Sequence, residues 1–183
     1  MLSQFSKEGE HSTLSDLYKF PKDVYPVGRL DADSEGLLIL TDDKKLNNFL
    51  LNPDFKHQRT YWVQVEGAIT VDATSQLEKG VTIKVDKVFY QTFPCKTEII
   101  DTPNNLAERN PPIRFRKNIP TSWVKIILAE GKNRQVRKMT ARVGFPTLRL
   151  IRIAIEEIEL GEMKAGEVKE LAKDFIYSRL HIS

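Results

Sequence analysis

Apolar residues change their spacing several times along this chain, and each change marks an element. From Arg59 to Gly67, Tyr61, Val63 and Val65 alternate with Trp62, Gln64 and Glu66, the period-two pattern of a half-buried strand. Residues 81–85, 89–100, 123–129 and 147–160 also read as strands, and Pro94 puts the second of these at an edge or a bulge. Between them the period lengthens to that of a helix. Leu46, Phe49 and Leu50 share one face of a helix over 44–51, behind an Asp42 or Asp43 cap and ended by Asn52-Pro53. A second helix starts on an Asp72 cap and stops at Gly80. Val136, Met139, Thr140 and Val143 make the core face of a third, over 134–143, with Asn133 as its cap and Gly144 as its end. A brief helix through Leu14, Leu17 and Tyr18, capped by Ser12 or Thr13, ends before Pro21, and residues 171–180 form a terminal one. Strand, helix, strand, helix, strand, strand is an α+β order.

One stretch fits this scheme less simply. Residues 27–30 read as a strand and 37–40 as an apolar run, joined by a turn at 33–36. Arg29 and Asp31 stand at the exit of the first strand. Three readings compete for them. One is a solvated loop. The second is a calcium loop, because Asp31, Asp33, Glu35, Gly36 and Asp42 match acidic and glycine positions of an EF-hand pattern. Against it stand the strand-like residues after Gly36 and the missing terminal Glu. The third makes Asp31 a catalytic carboxylate.

Composition excludes several classes. The 183 residues are 40% hydrophobic and 29% charged, ordinary for a soluble globular protein with room for one core. No apolar run reaches the length of a membrane span, and no signal peptide opens the chain, so a cytoplasmic protein without membrane contact is expected. The single cysteine, Cys95, excludes an internal disulfide and reads as a small strand residue. His11, His57 and His181 lack ligand spacing, which argues against zinc and against a Ser-His-Asp triad.

Charge is ordinary in total, +3, but uneven along the chain. Residues 109–152 hold 12 Lys and Arg against one acid, Glu130, while both flanks are net negative. Such a block suits a polyanion. Part of it is a loop, residues 101–120, with four prolines and Arg109, Arg114, Arg116 and Lys117. There Phe115, between two arginines, is placed to stack on a base while the arginines meet phosphates. The other part opens the third helix with Arg134, Gln135, Arg137 and Lys138. The helix dipole favours cations at the opposite end, so cations here imply an anion or a carboxylate to meet.

Taken together, these motifs resemble a known family. Gly28-Arg29-Leu30-Asp31-Ala32-Asp33-Ser34-Glu35-Gly36-Leu37-Leu38 resembles the central motif of the RsuA-like pseudouridine synthases. Glu130-Gly131-Lys132-Asn133-Arg134-Gln135-Val136-Arg137-Lys138-Met139 resembles their basic motif. Residues 149–153 resemble the run just downstream of that motif, and the Arg59–Gly67 pattern resembles their tyrosine strand. The proline-rich basic loop is most similar to the RluE subfamily, which acts on 23S ribosomal RNA of the large subunit. The resemblance implies a mixed, mostly antiparallel sheet with flanking helices, and a single catalytic domain over 1–183 without the S4 RNA-binding domain of many relatives. The first strand is expected to be truncated at Met1. It also implies roles. Asp31 attacks the target uridine, Tyr61 packs under the uracil ring, and Arg137, or else Arg134, pairs with the aspartate. Arg29 contacts RNA near the flipped nucleotide, and Lys132, Arg134, Lys138, Arg114, Arg116 and Lys117 belong to the RNA-binding surface. The reaction breaks the N1–C1′ bond of a uridine and rejoins the base through C5. No atom is lost, so no cofactor or metal is expected, and the enzyme is expected to act as a monomer. A non-catalytic RNA-binding module of the same fold is the alternative.

Overall fold

Strand β4 (Arg59–Glu66) is the centre of the main sheet, with β8 (Thr121–Leu128) and β9 (Thr147–Ile155) antiparallel on either side. The computed structural model describes residues 1–104, 106–114 and 116–182. The β-branched and aromatic residues of these three strands suit a pleated surface that is covered on at least one face. Strand β7 (Lys96–Ile100) continues the sheet beyond β8, and β10 (Ile158–Glu159) beyond β9, giving the order β10-β9-β4-β8-β7. The α+β architecture and the mostly antiparallel sheet agree with the sequence reading.

On the face of Tyr61, Val63 and Val65 lie two helices, α2 (Val71–Lys79) and α3 (Gln135–Arg142). Leu77 and Met139 are fully buried there with Val63, Val65, Val124 and Ile126. Each such side chain contributes roughly 1.5–3 kcal/mol by leaving water. The hairpin of β5 (Thr82–Val85) and β6 (Val88–Gln91) closes this core through Ile83. A second core joins α1 (Lys44–Leu51), α4 (Lys173–Arg179) and the end of β9 through Leu46, Leu50, Ile155, Ile176 and Leu180. Val27, Leu37 and Ile39 belong to it, so the stretch carrying Asp31 is anchored by apolar residues on both sides.

Several boundaries differ from the sequence reading. Residues 27–30 are not a strand. The pairing lies earlier, between β1 (Tyr25–Pro26) and β3 (Leu40–Thr41), and Val27 donates its N–H to Ile39 as the last rung at 2.8 Å. The expected turn at 33–36 ends in a strand, β2 (Glu35–Gly36), parallel to Ile151–Arg152 of β9. Gly36 makes this approach possible. Its φ is +107°, and a Cβ there would lie 2.6 Å from the Arg152 nitrogen. The run at 89–100 is two strands, broken at Thr92, whose hydroxyl accepts from Val81 at 2.9 Å. The run at 147–160 is also two, turned at Glu156 with φ +48°. Thr70, not Asp72, caps α2, accepting from Ala73 at 3.2 Å. The first helix is a single 3-10 turn, Leu14–Asp16, opened by Thr13, and Leu17 and Tyr18 are exposed. Asp43 caps α1 as one of the two expected residues. Phe115 lies outside the described residues.

Candidate active site

A cleft of about 380 Å³ opens over the end of the main sheet. Its lining includes Tyr61 from β4, Leu128 from β8, and Leu150 and Arg152 from β9. Tyr61 and Arg152 are register partners on adjacent antiparallel strands, so both side chains rise on the same face. Gly28, Arg29, Leu30 and Asp31 also line it, as do Glu130, Lys132 and Arg134 from the segment that leads into α3. The tertiary structure thus brings together the three motifs that are far apart in sequence.

Asp31 is held from its own side of the cleft. Its carbonyl accepts from Ser34 at 2.9 Å, closing the turn. The Ser3 hydroxyl accepts from the Leu30 N–H at 3.0 Å and donates to the Leu30 carbonyl at 3.2 Å. Residues 1–4 form no strand, yet Ser3 fixes the backbone immediately before Asp31.

From α3, Arg134 Nη1 comes within 3.5 Å of Asp31 Oδ2, and Arg137 Nε within 4.0 Å of the same oxygen. Both arginines named as partners of the aspartate therefore face it, Arg134 more closely. Neither has Asp31 as its main partner. Arg134 forks onto Asp33, with both bonds at 2.9 Å. Arg137 donates to the Asp33 carbonyl at 2.8 Å and to Ser34 Oγ at 3.3 Å, which leaves its buried Nε without a hydrogen-bond partner among the described residues. The hydrogen bond from Arg134 holds the Asp33 carboxyl below its ordinary pKa and raises that of Arg134 itself. Burial lowers the pKa of Arg137, opposed by Asp33.

This explains cations at the start of α3: they meet the acidic turn before β2. The helix entry is not the expected Asn133 cap. Arg134 itself occupies that position, left-handed at φ +50° and without a side-chain cap.

The turn is clamped a second time on its far side. Arg149 forks onto Glu35 at 2.9 and 2.7 Å, and Arg109 Nε lies 3.2 Å from the same carboxylate. Arg149 also takes the Ala107 carbonyl at 3.0 Å, which ties the proline-rich loop to the turn. The acids of the calcium pattern at 33 and 35 are thus partnered by arginines, and among the described residues no α-helix precedes them. In the cleft floor Arg152 donates to the Leu37 carbonyl at 2.8 Å, and its Nη2 has no hydrogen-bond partner among the described residues. Burial lowers its pKa, and the neighbouring Tyr61 opposes that.

The remaining basic residues fall in two places. Arg29 and Lys132 are exposed on the cleft rim. Lys138 donates to the Asn133 carbonyl at 2.7 Å, bracing the loop before α3. Arg114, Arg116 and Lys117 line a separate depression, where Arg114 and Arg116 each pair with Glu66 at 3.0 Å. That end of β4 lies about 16 Å along the strand from Tyr61, at roughly 3.3 Å per residue.

Sequence reasoning missed Asp33, Glu35, Arg109, Arg149 and Arg152 as structural partners, and also Tyr90, whose hydroxyl donates to Glu130 at 2.6 Å. Glu130 carried a signal as the one acid in the basic block, and the cations at the start of α3 announced an acid without saying which. Burial pushes the Cys95 thiol up to about 12, so it stays protonated, as a structural cysteine does.

A model of the RNA pseudouridylate synthase family matches residues 3–142. A ribosomal large subunit pseudouridine synthase E of Vibrio parahaemolyticus is 51% identical over 170 residues, 93% of this chain and 69% of that protein. One of the same name from Xanthomonas axonopodis is 46% identical over 87% of this chain and 83% of its own length. Among solved structures, a pseudouridylate synthase superposes with a TM-score of 0.76 at 24% identity, over 94% of this chain and 66% of that one. That likeness extends to the fold.

Proposed function

Since this chain belongs to the RNA pseudouridylate synthase family, we propose that it converts a specific uridine of 23S ribosomal RNA to pseudouridine in the cleft around Asp31. The observation that carries the reading is one carboxylate at the cleft rim faced by two guanidiniums of α3, at 3.5 and 4.0 Å, above a floor that includes Tyr61.

The chemistry asks for these groups. The N1–C1′ bond must break, the base must turn, and C5 must bond to C1′ while the C5 hydrogen is replaced by one on N1. Asp31 is the nucleophile of this rearrangement. Its carboxylate loses solvation when RNA fills the cleft, and Arg134 and Arg137 balance its charge there. A base inside a folded RNA has to leave its stack to reach Asp31, and the Tyr61 ring replaces part of the lost stacking. Arg29 and Lys132, with Arg134 and Lys138 behind them, meet the phosphates next to the flipped nucleotide. Arg114, Arg116 and Lys117 make a second contact with the RNA, beyond the cleft.

Asp31→Asn tests the reading. The variant is expected to fold, to bind ribosomal RNA, and to leave the target uridine unmodified when ribosomal RNA from cells carrying only this variant is mapped chemically. Undiminished pseudouridine would sink the assignment, and so would a wild-type enzyme whose deletion leaves every pseudouridine of the large subunit in place.

A further inference from the structure

Glu130 is the only acid among residues 109–152, and it is buried, 7% exposed, in the wall of the cleft. A buried carboxylate is costly unless its oxygens are satisfied. Here both are. Oε2 accepts from the Tyr90 hydroxyl at 2.6 Å. Oε1 accepts from the Phe93 N–H at 2.8 Å and from the Gln135 side-chain amide at 2.5 Å. The hydrogen bond to Glu130 pushes the Tyr90 phenol up to about 12, so the phenol remains a donor. Three chain segments therefore meet on this carboxylate: the end of β6, the residues after β8, and the first residue of α3.

The contact with Gln135 reaches the arginines. Gln135 uses its other side-chain atom, Oε1, to accept from the Lys132 N–H at 2.9 Å, and its own N–H donates to the Lys132 carbonyl at 3.0 Å. These bonds close the loop in which Arg134 is held left-handed, a conformation that a non-glycine residue keeps only when its surroundings enforce it. From that strained position Arg134 reaches Asp33 and Asp31, and Arg137 stands one turn further along α3. On the other side, Tyr90 and Phe93 line the cleft, and Lys132 Nζ sits 4.9 Å above the Tyr90 ring.

We propose that Glu130 is a positioning residue for pseudouridine formation: through Gln135 it fixes Arg134 and Arg137 on Asp31, and through Tyr90 and Phe93 it sets the width of the cleft. The inference rests on the reading that Asp31 performs the reaction. With both oxygens spent on Tyr90, Phe93 and Gln135, Glu130 acts through these partners and not on the RNA. Its loss therefore lowers the rate of the bound complex and spares the affinity.

Two variants test this on the full chain with transcribed 23S ribosomal RNA: Glu130→Gln, and Tyr90→Phe, which keeps the carboxylate and removes one donor. Single-turnover pseudouridine formation is measured at saturating enzyme, and RNA Kd by filter binding. The expected result is a saturating rate about tenfold lower for Glu130→Gln and about threefold lower for Tyr90→Phe, with Kd within about threefold of wild type. A folded Glu130→Gln with the wild-type rate overturns the proposal, as does a loss that lies wholly in Kd. If Glu130→Gln melts below the assay temperature, Tyr90→Phe decides: its wild-type rate overturns the proposal. An active Asp31→Asn would sink the functional reading itself. A full-rate Glu130→Gln beside an inactive Asp31→Asn sinks only the role of Glu130.

Discussion

Replacing Gly36 by alanine tests how the acidic turn is attached to the sheet. Two costs arise, and they can be separated. Gly36 has φ +107°, and a residue with a Cβ in such a conformation costs about 1–2 kcal/mol. The added methyl would also meet the backbone of Arg152, with the nitrogen 2.6 Å away and the carbonyl oxygen closer still. No rotamer relieves a clash with main chain, so β2 must move off β9, a further cost of about 1–3 kcal/mol by analogy with overpacked cores. The sum is about 2–5 kcal/mol. For a domain of this size each kcal/mol lowers Tm by roughly 2–4 °C, so a fall of about 4–20 °C is expected in calorimetry. Gly144→Ala is the control. Its φ is +91°, but nothing lies within 4 Å of its Cβ position, so it carries the conformational cost alone, about 2–8 °C. The turn that shifts in Gly36→Ala carries Asp33 and Glu35, so pseudouridine formation should fall even well below the new Tm. A Tm for Gly36→Ala no lower than that of Gly144→Ala would refute the close approach of β2 to β9.

Arg137→Ala should reduce the saturating rate of modification about 10–100-fold while RNA affinity changes little, because its side chain is 11% exposed and is spent on Asp33, Ser34 and Asp31. Equal losses in rate and affinity, read from the same single-turnover and filter-binding series, would contradict that. Changing Arg114, Arg116 and Lys117 together to alanine should lower the slope of log Kd against log salt by about 2 or less, at roughly 0.7 for each phosphate of single-stranded RNA that is no longer neutralised. Two of the three cations are already paired with Glu66, which holds the change below that of three free charges. An unchanged slope returns this loop to a structural role.

Much of this protein was legible in its sequence because the relevant signals are local. Tyr61, Val63 and Val65 show the period of a strand that is covered on one face, and Val136, Met139 and Thr140 that of a helix packed on it. Asp31 and the arginines of α3 were identifiable from motifs, and a helix that begins with cations announces an anion nearby. What the sequence left open was pairing between distant segments. Residues 27–30 have the composition of a strand, but their hydrogen bonds go to Ser3 and Ile39, so they remain a loop. Asp33 and Glu35 were indistinguishable from ordinary turn acids until Arg134, Arg137, Arg109 and Arg149 arrived from up to 114 positions away. Tyr90 met Glu130 in the same way. Periodicity reports which face of an element is buried, and that much is written within ten residues or so. Which buried face meets which, and therefore which acid meets which arginine, depends on how β9 and α3 pack around β4, and only the tertiary structure decided it.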